Sequence, residues 1–228
     1  MMLINLLEDE LQELNNLKKR TDKSGYYSEC IMFHITQQVQ DVYQVRKVTE
    51  ETANKYLGDI SYKRYKNTLH YIEAKKGSVW NNINKASIDY MYTYTNSFGT
   101  REFTQPYGLK YCWLYSKNYD KLAFVFKDKI YLIGNANLFL KEVRATIKEA
   151  IQRYKSLQDF HSAWYTKEHD FYIGPGVTGG ITHSNATYET FTVFVDIEEF
   201  CKIHNISYTP KEYKVTNVQP IIHNDIMD

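Results

Sequence analysis

Apolar residues recur at helical spacing at the start of the chain, at Leu3, Leu6, Leu7, Leu11, Leu14 and Leu17. This spacing predicts a helix from Leu3 to Lys19, closed by Thr21-Asp22-Lys23-Ser24-Gly25. Ser28 to Asp41 reads as a second helix, with Ser28 as its cap, Glu29 in its first turn and Ile31, Ile35, Val39 and Val42 as one stripe. A strand through Cys30–Ile35 is the competing reading. Val42–Val48 is rich in strand formers and is expected as a strand. Thr49–Leu57 is polar, a helical turn or a loop. Gly58–Tyr62 starts a strand after a turn, Lys63–Asn67 is a polar connection, and Thr68 opens another strand to about Lys75.

Further along, Val79, Ile83, Ala86, Tyr90 and Tyr94 fall on one helical face, so a helix is expected from Val79 to Tyr94. Asn96–Gly108 reads as a loop and Lys110–Tyr115 as a strand. Leu122–Ile133 reads as a strand, with a hairpin turn at Lys127-Asp128 as a variant. Leu140, Val143, Ile147, Ile151 and Tyr154 mark a helix over Asn137–Leu157. Gly174–Asn185 is expected as a glycine-rich loop, Phe191–Asp196 as a strand and Ile197–His204 as a short helix. From about Lys211 onward the chain is expected as a surface tail. The order of helices and strands predicts an α/β or α+β domain with a mixed central sheet flanked by helices. Residues 1–210 would form one domain and residues 211–228 a C-terminal tail.

Composition narrows the function classes. The 228 residues carry 28 Lys plus Arg against 27 Asp plus Glu, a net charge of +1. That balance argues against a strongly basic nucleic-acid wrapper and against an acidic mimic, while leaving local patches open. The three cysteines, Cys30, Cys112 and Cys201, are too few and scattered for a disulfide framework or a cysteine zinc site, and they fit a reducing cytoplasm. The apolar run before Glu8-Asp9-Glu10 is too short for a signal-peptide core, and no stretch nears the roughly 18 apolar residues of a spanning helix. A soluble protein with no membrane partner is expected. Tyrosine is abundant, with 21 residues. An AT-rich coding genome accounts for this, as does stacking of bases on exposed rings.

One constellation carries chemistry. On a Thr68–Lys75 strand, Leu69, Tyr71, Glu73 and Lys75 share a face. A hairpin centred on Lys66 would set Asp59 opposite Glu73, with Cβ atoms roughly 4.5–5.5 Å apart. Two carboxylates suit a hard divalent cation. Such an ion lowers the pKa of bound water and neutralises phosphate charge, and a lysine stabilises developing negative charge. Phosphodiester hydrolysis is the reaction these groups serve.

The Gly58-Asp59-Ile60 and Ile72-Glu73-Ala74-Lys75 segments resemble the PD-(D/E)XK nuclease superfamily, which includes restriction endonucleases and Holliday junction resolvases. The resemblance covers about residues 26–135 and implies a restriction-endonuclease-like core with a C-terminal α+β elaboration. It implies Mg²⁺ or Mn²⁺ held by Asp59 and Glu73, Lys75 at the water, and a further acid from a preceding helix. Glu29 matches that role best, with Glu10 and Glu13 behind it. Gly58 departs from the family's proline. Lys76, Ser78 and Trp80 follow the motif and are candidates for substrate contact, or for a polar helix start with a packed Trp80. DNA is the expected partner, a homodimer is plausible by analogy, and the composition fits a bacteriophage or mobile-element origin. The rival is a non-catalytic nucleic-acid- or protein-binding module on the same fold.

Other signals are weaker. Gly174–Gly180 lacks the Gly-Lys-Ser/Thr ending of a P-loop. His34-Ile35-Thr36 is a lone His-x-Thr, where two-histidine phosphoesterases need two. His161, His169 and His183 lack metal-ligand spacing. Asp196, Glu198 and Glu199 read as the acidic first turn of a helix.

Overall fold

A computed structural model describes residues 1–49, 57–80, 83–95, 101–104, 114, 119–154, 159, 173–181, 187–219 and 226. The architecture is mixed α/β. The chain divides into two compact units that alternate along the sequence. The first comprises Met1–Ser78, Lys117–Asn137 and Ile206–Asp228, and the second Val79–Ser116 and Leu138–Asn205.

The first unit is built on a mixed sheet. Its strands are β1 (Met2–Ile4), β2 (Tyr43–Lys47), β3 (Ile60–Lys63), β4 (Leu69–Trp80, all but its last two residues), β7 (Lys121–Val125), β8 (Lys129–Ile133) and β11 (Tyr208–Val215). The order is β2-β3-β4-β7-β8-β11-β1. The β4–β7 and β11–β1 pairs are parallel and the others antiparallel. Helices α1 (Glu8–Asn16) and α2 (Arg20–Gln37) complete the unit. Tyr27, Cys30, Ile31 and Ile35 of α2 join Ile60, Tyr62, Ile72, Ala74, Ala123 and Val125 in one buried core. The alternating burial of β3 follows directly: Ile60 and Tyr62 enter this core while Ser61 and Lys63 do not.

The second unit holds β5 (Ile83–Thr95), which pairs antiparallel with β6 (Arg101–Thr104) and β10 (Thr187–Asp196). Strand β9 (Ile173–Ile181) pairs antiparallel with β10. Helix α3 (Ala136–Gln152) belongs to it beyond its first two residues, and α4 is Ile197–Ile203. Phe139 of α3 meets Phe200 of α4 edge to face, with ring centres 5.4 Å apart.

Several expected elements change. Met2–Ile4 is a strand beside β11, so the first helix starts only at Glu8. The second helix starts at Arg20 and runs through Ser24-Gly25, and Ser28 lies inside it with its hydroxyl donating to the Ser24 carbonyl at 2.9 Å. Packing of the α2 stripe outweighs the glycine penalty of about 1 kcal/mol. The expected Val79–Tyr94 helix is instead the end of β4 and most of β5. Ala86, Ile88, Tyr90, Tyr92 and Tyr94 also alternate, and the tyrosine, threonine and isoleucine content favours a strand. Gly174–Gly180 forms part of β9, whose described pairing is to β10 alone, a position where glycine and proline cost little. Arg101–Thr104, expected within a loop, is strand β6. The expected tail from Lys211 is strand within β11, with Tyr213 buried and its hydroxyl donating to the Phe126 carbonyl. The expected strand at Lys110–Tyr115, apart from Leu114, and the residues His161, His169 and His183 lie outside the described residues. No helix among the described residues is long and apolar enough to cross a membrane.

Candidate active site

Strands β3 and β4 pair as Ile60↔Ile72, Ser61↔Tyr71, Tyr62↔His70 and Lys63↔Leu69, the register centred on Lys66. Continued by one residue, it faces Asp59 with Glu73. The Asp59 amide donates to the Ile72 carbonyl at 2.9 Å, and Asp59 Oδ2 accepts from the Ala74 amide at 2.7 Å. Both carboxylates are buried, each residue with 4% of its surface exposed. Lys75, two residues on and therefore on the same face, is ion-paired through Nζ to Glu73 Oε1.

Gly58 makes this approach possible. Its φ is +95°, and a Cβ there would stand 2.9 Å from the Ile72 carbonyl oxygen. Proline, fixed near −65°, has no access to that conformation. A proline at this position would therefore force a different local backbone.

Helix α2 adds Glu29. Burial pushes its carboxyl up to about 7; the charge of Asp59 adds to this, and Lys75 and Lys47 oppose it. Glu73 also rises to about 7, first through burial, with Asp59 and Glu29 adding and Lys75 opposing. Burial works against the Lys75 ammonium, yet Glu73, Asp59 and Glu29 together hold its pKa above the ordinary value. Asp59, Glu73, Lys75 and Glu29 are thus one electrostatic group. Three carboxylates face one ammonium in it, an excess of acid that burial makes costly.

A second polar cluster stands beside it. Glu10 is 1% exposed. Its Oε2 accepts from His34 Nε2 at 2.7 Å and from the Leu7 amide at 2.9 Å, and its Oε1 is paired with Lys47 Nζ. Lys47 Nζ also lies 3.2 Å from Cys30 Sγ and 5.0 Å from the Tyr26 ring centre. Burial raises the Glu10 carboxyl, but hydrogen bonds from His34, Lys47 and Leu7 reverse this and hold it at about 2. Burial pushes the Cys30 thiol up to about 12, which removes it as a nucleophile near neutral pH. Glu10 and His34 are committed to each other.

Lys47 was not foreseen. It reaches the site because β2 pairs with β3 at Lys47↔Ile60, and the Val48 amide donates to the Asp59 carbonyl at 2.8 Å. A pairing between two strands that no short hairpin turn joins leaves no local mark in the sequence. Among the substrate candidates, Lys76 Nζ donates to the Ile226 carbonyl at 2.7 Å. The side chains of Ser78 and Trp80 lie outside the described residues. Lys85 is in the second unit, opposite Asp196 in the β5–β10 register. Asp196 caps α4, accepting from the Glu199 amide at 3.1 Å.

The donor chemistry of Asp59, Glu73 and Glu29 is all oxygen, which fits a hard divalent ion. Among the described residues, no three His, Cys, Asp or Glu side chains form a ready-made coordination set. Compared with known proteins, the chain matches no family model, no curated protein and no solved structure.

Proposed function

We propose that the chain is a metal-dependent nuclease hydrolysing phosphodiester bonds, with DNA as substrate, on a restriction-endonuclease-like core. The observation that carries this reading is the convergence of Asp59, Glu73, Lys75 and Glu29 on neighbouring elements. With all four ionised, two negative charges are left uncompensated, the charge of one Mg²⁺ or Mn²⁺ ion. When bound, such an ion supplies an activated water and neutralises phosphate charge.

In this reading Asp59 and Glu73 hold the ion. The amide of Ala74 fixes the Asp59 carboxylate, so one oxygen is oriented before any ligand arrives. Lys75 exchanges its Glu73 partner for water or phosphate oxygen and stabilises charge as it develops. Glu29 completes the acidic group from α2.

The test is incubation with single- and double-stranded DNA and RNA, in Mg²⁺, Mn²⁺ or EDTA. Metal-dependent cleavage should fall about 100-fold or more in Glu73→Ala and Asp59→Asn, with circular dichroism unchanged. Cleavage that persists in Glu73→Ala would overturn the reading. A second reading, a non-catalytic binding module on the same fold, is favoured by the closure of the group on itself through the Glu73–Lys75 pair. It expects binding with no cleavage in any metal.

A further inference from the structure

The tip of the β3–β4 hairpin carries exposed rings and cations that the catalytic group does not use. We propose that it docks single-stranded nucleic acid, with bases stacking on Tyr65 and Tyr43 and phosphates held by Arg64 and Lys66. A cavity of about 620 Å³ lies there, lined by Asp41, Tyr43, Arg64 and Tyr65. Tyr65 is 80% exposed, and Lys66 Nζ stands 5.8 Å from its ring centre. An exposed ring flanked by cations is the pattern of sequence-tolerant strand binding, since every base has a π-face.

The surface is built and held. Tyr43 Oη donates to the Arg64 carbonyl at 2.6 Å and accepts from the Asn67 amide at 3.2 Å, tying β2 across the hairpin turn. Asp41, Gln44, Lys66 and Asn67 all have positive φ, between 51° and 66°. Each such residue carries a backbone cost of about 1 kcal/mol. None of the four is buried, so no core packing at these positions repays it.

Charge at this end of the sheet points to a polyanion. Lys121 is held below its ordinary pKa, first by burial and then by the nearby charges of Arg64 and Lys211, with Asp120 opposing. A phosphate backbone relieves that repulsion. Cations alone would suit any acidic ligand, but an exposed ring adds nothing to a carboxylate and much to an unpaired base. In a duplex the bases are already stacked, so the single strand is the form the rings favour. Tyr65 lies six positions after Asp59 in the sequence, at most about 20 Å of extended chain. The inference rests on the nucleic-acid part of the reading above and not on cleavage.

The test is anisotropy of labelled oligothymidine of about 20 nucleotides, and of a duplex of equal length, with the full chain in EDTA. The single strand should bind more tightly. Tyr65→Ala should weaken it about 5-fold or more, Tyr65→Phe should stay within about twofold, and Arg64→Ala should flatten the salt dependence. Tighter binding of the duplex, or wild-type binding by Tyr65→Ala, overturns the inference. The two proposals fail separately. Glu73-dependent cleavage with Tyr65-independent binding sinks only this surface. Tyr65-dependent binding without cleavage in any metal sinks only the nuclease.

Discussion

Two buried carboxylate clusters stand side by side in the first unit, and they are balanced in opposite ways. Glu10 has a lysine, a histidine and a backbone amide for one carboxylate, and its pKa falls to about 2. Asp59, Glu73 and Glu29 share Lys75, and Glu29 and Glu73 rise to about 7. Burial raises all three of the shifted carboxyls; what differs is the supply of donors. The first cluster is complete within the protein, and such a cluster braces structure. The second holds more acid than Lys75 balances, which is the feature the proposed ion site rests on. Lys47 links them, bonded to Glu10 while its charge lowers the Glu29 carboxyl.

The largest expected difference is in activity. Removing a carboxylate from the acid-rich group should lower cleavage about 100-fold or more, as set out for Glu73→Ala, while Glu10→Gln should keep most of it. In stability the order reverses. Glu10→Ala leaves Lys47 half-buried without its carboxylate, and breaking such a pair costs about 3–5 kcal/mol. Urea unfolding of the two variants checks this. Equal losses for Glu10→Ala and Glu29→Gln would erase the distinction between the clusters. Next in size is Gly58→Ala, which puts a Cβ 2.9 Å from the Ile72 carbonyl oxygen at a φ of +95°. A loss of about 1–3 kcal/mol is expected, read by urea unfolding, with cleavage reduced because Asp59 shifts.

The two clusters were unequally legible. Asp59, Glu73 and Lys75 depend on one hairpin, so turn position and period-two alternation were enough to bring them together. Glu29 needed only a helix, although that helix begins eight residues before the expected start. The brace of Glu10, His34 and Lys47 joins α1, α2 and β2, and its partners are set by packing between elements far apart in sequence. The β5 strand was missed because its apolar positions satisfy helical and strand periods alike. There tyrosine and threonine content was the better guide. β11 was missed because Lys211, Glu212 and Lys214 look solvent-facing, while backbone pairing with β8 and β1 holds the strand in place. Among the described residues β1, β6 and β9 are likewise strands where a helix or a loop was expected.

pH separates the clusters through opposite signs. The Glu10 carboxyl is depressed, so its contribution is present above about pH 4.5 and is lost as pH falls toward 2. Glu29 and Glu73 are raised, so their contribution is full below about pH 4.5 and is lost as pH rises through 7. The Tm should therefore fall on both sides of mildly acid pH. Glu29→Gln should raise it by a few degrees at about pH 8 and have little effect at about pH 5. Millimolar MgCl₂ should do the same to the wild type, because the ion binds the ionised group. A Tm in MgCl₂ that rises equally at both pH values would remove the acid-rich group as the ion's site.

The smallest effect tests whether the shared helix biases the comparison. α2 carries Glu29 for one cluster and Cys30 and His34 for the other, with Gly25 one turn earlier. Apart from its chain neighbours and the backbone of its own helix, nothing lies within 4 Å of a Cβ built on Gly25, so alanine there adds helix propensity without a clash. A gain of about 0.5–1 kcal/mol in urea unfolding is expected. Since Gly25→Ala touches neither cluster, the pH dependence of Tm should shift upward as a whole with its shape kept. A change confined to the alkaline limb would mean that helix stiffness, and not the count of acids against cations, sets the behaviour of Glu29. The contrast between the two clusters would then be conformational in origin.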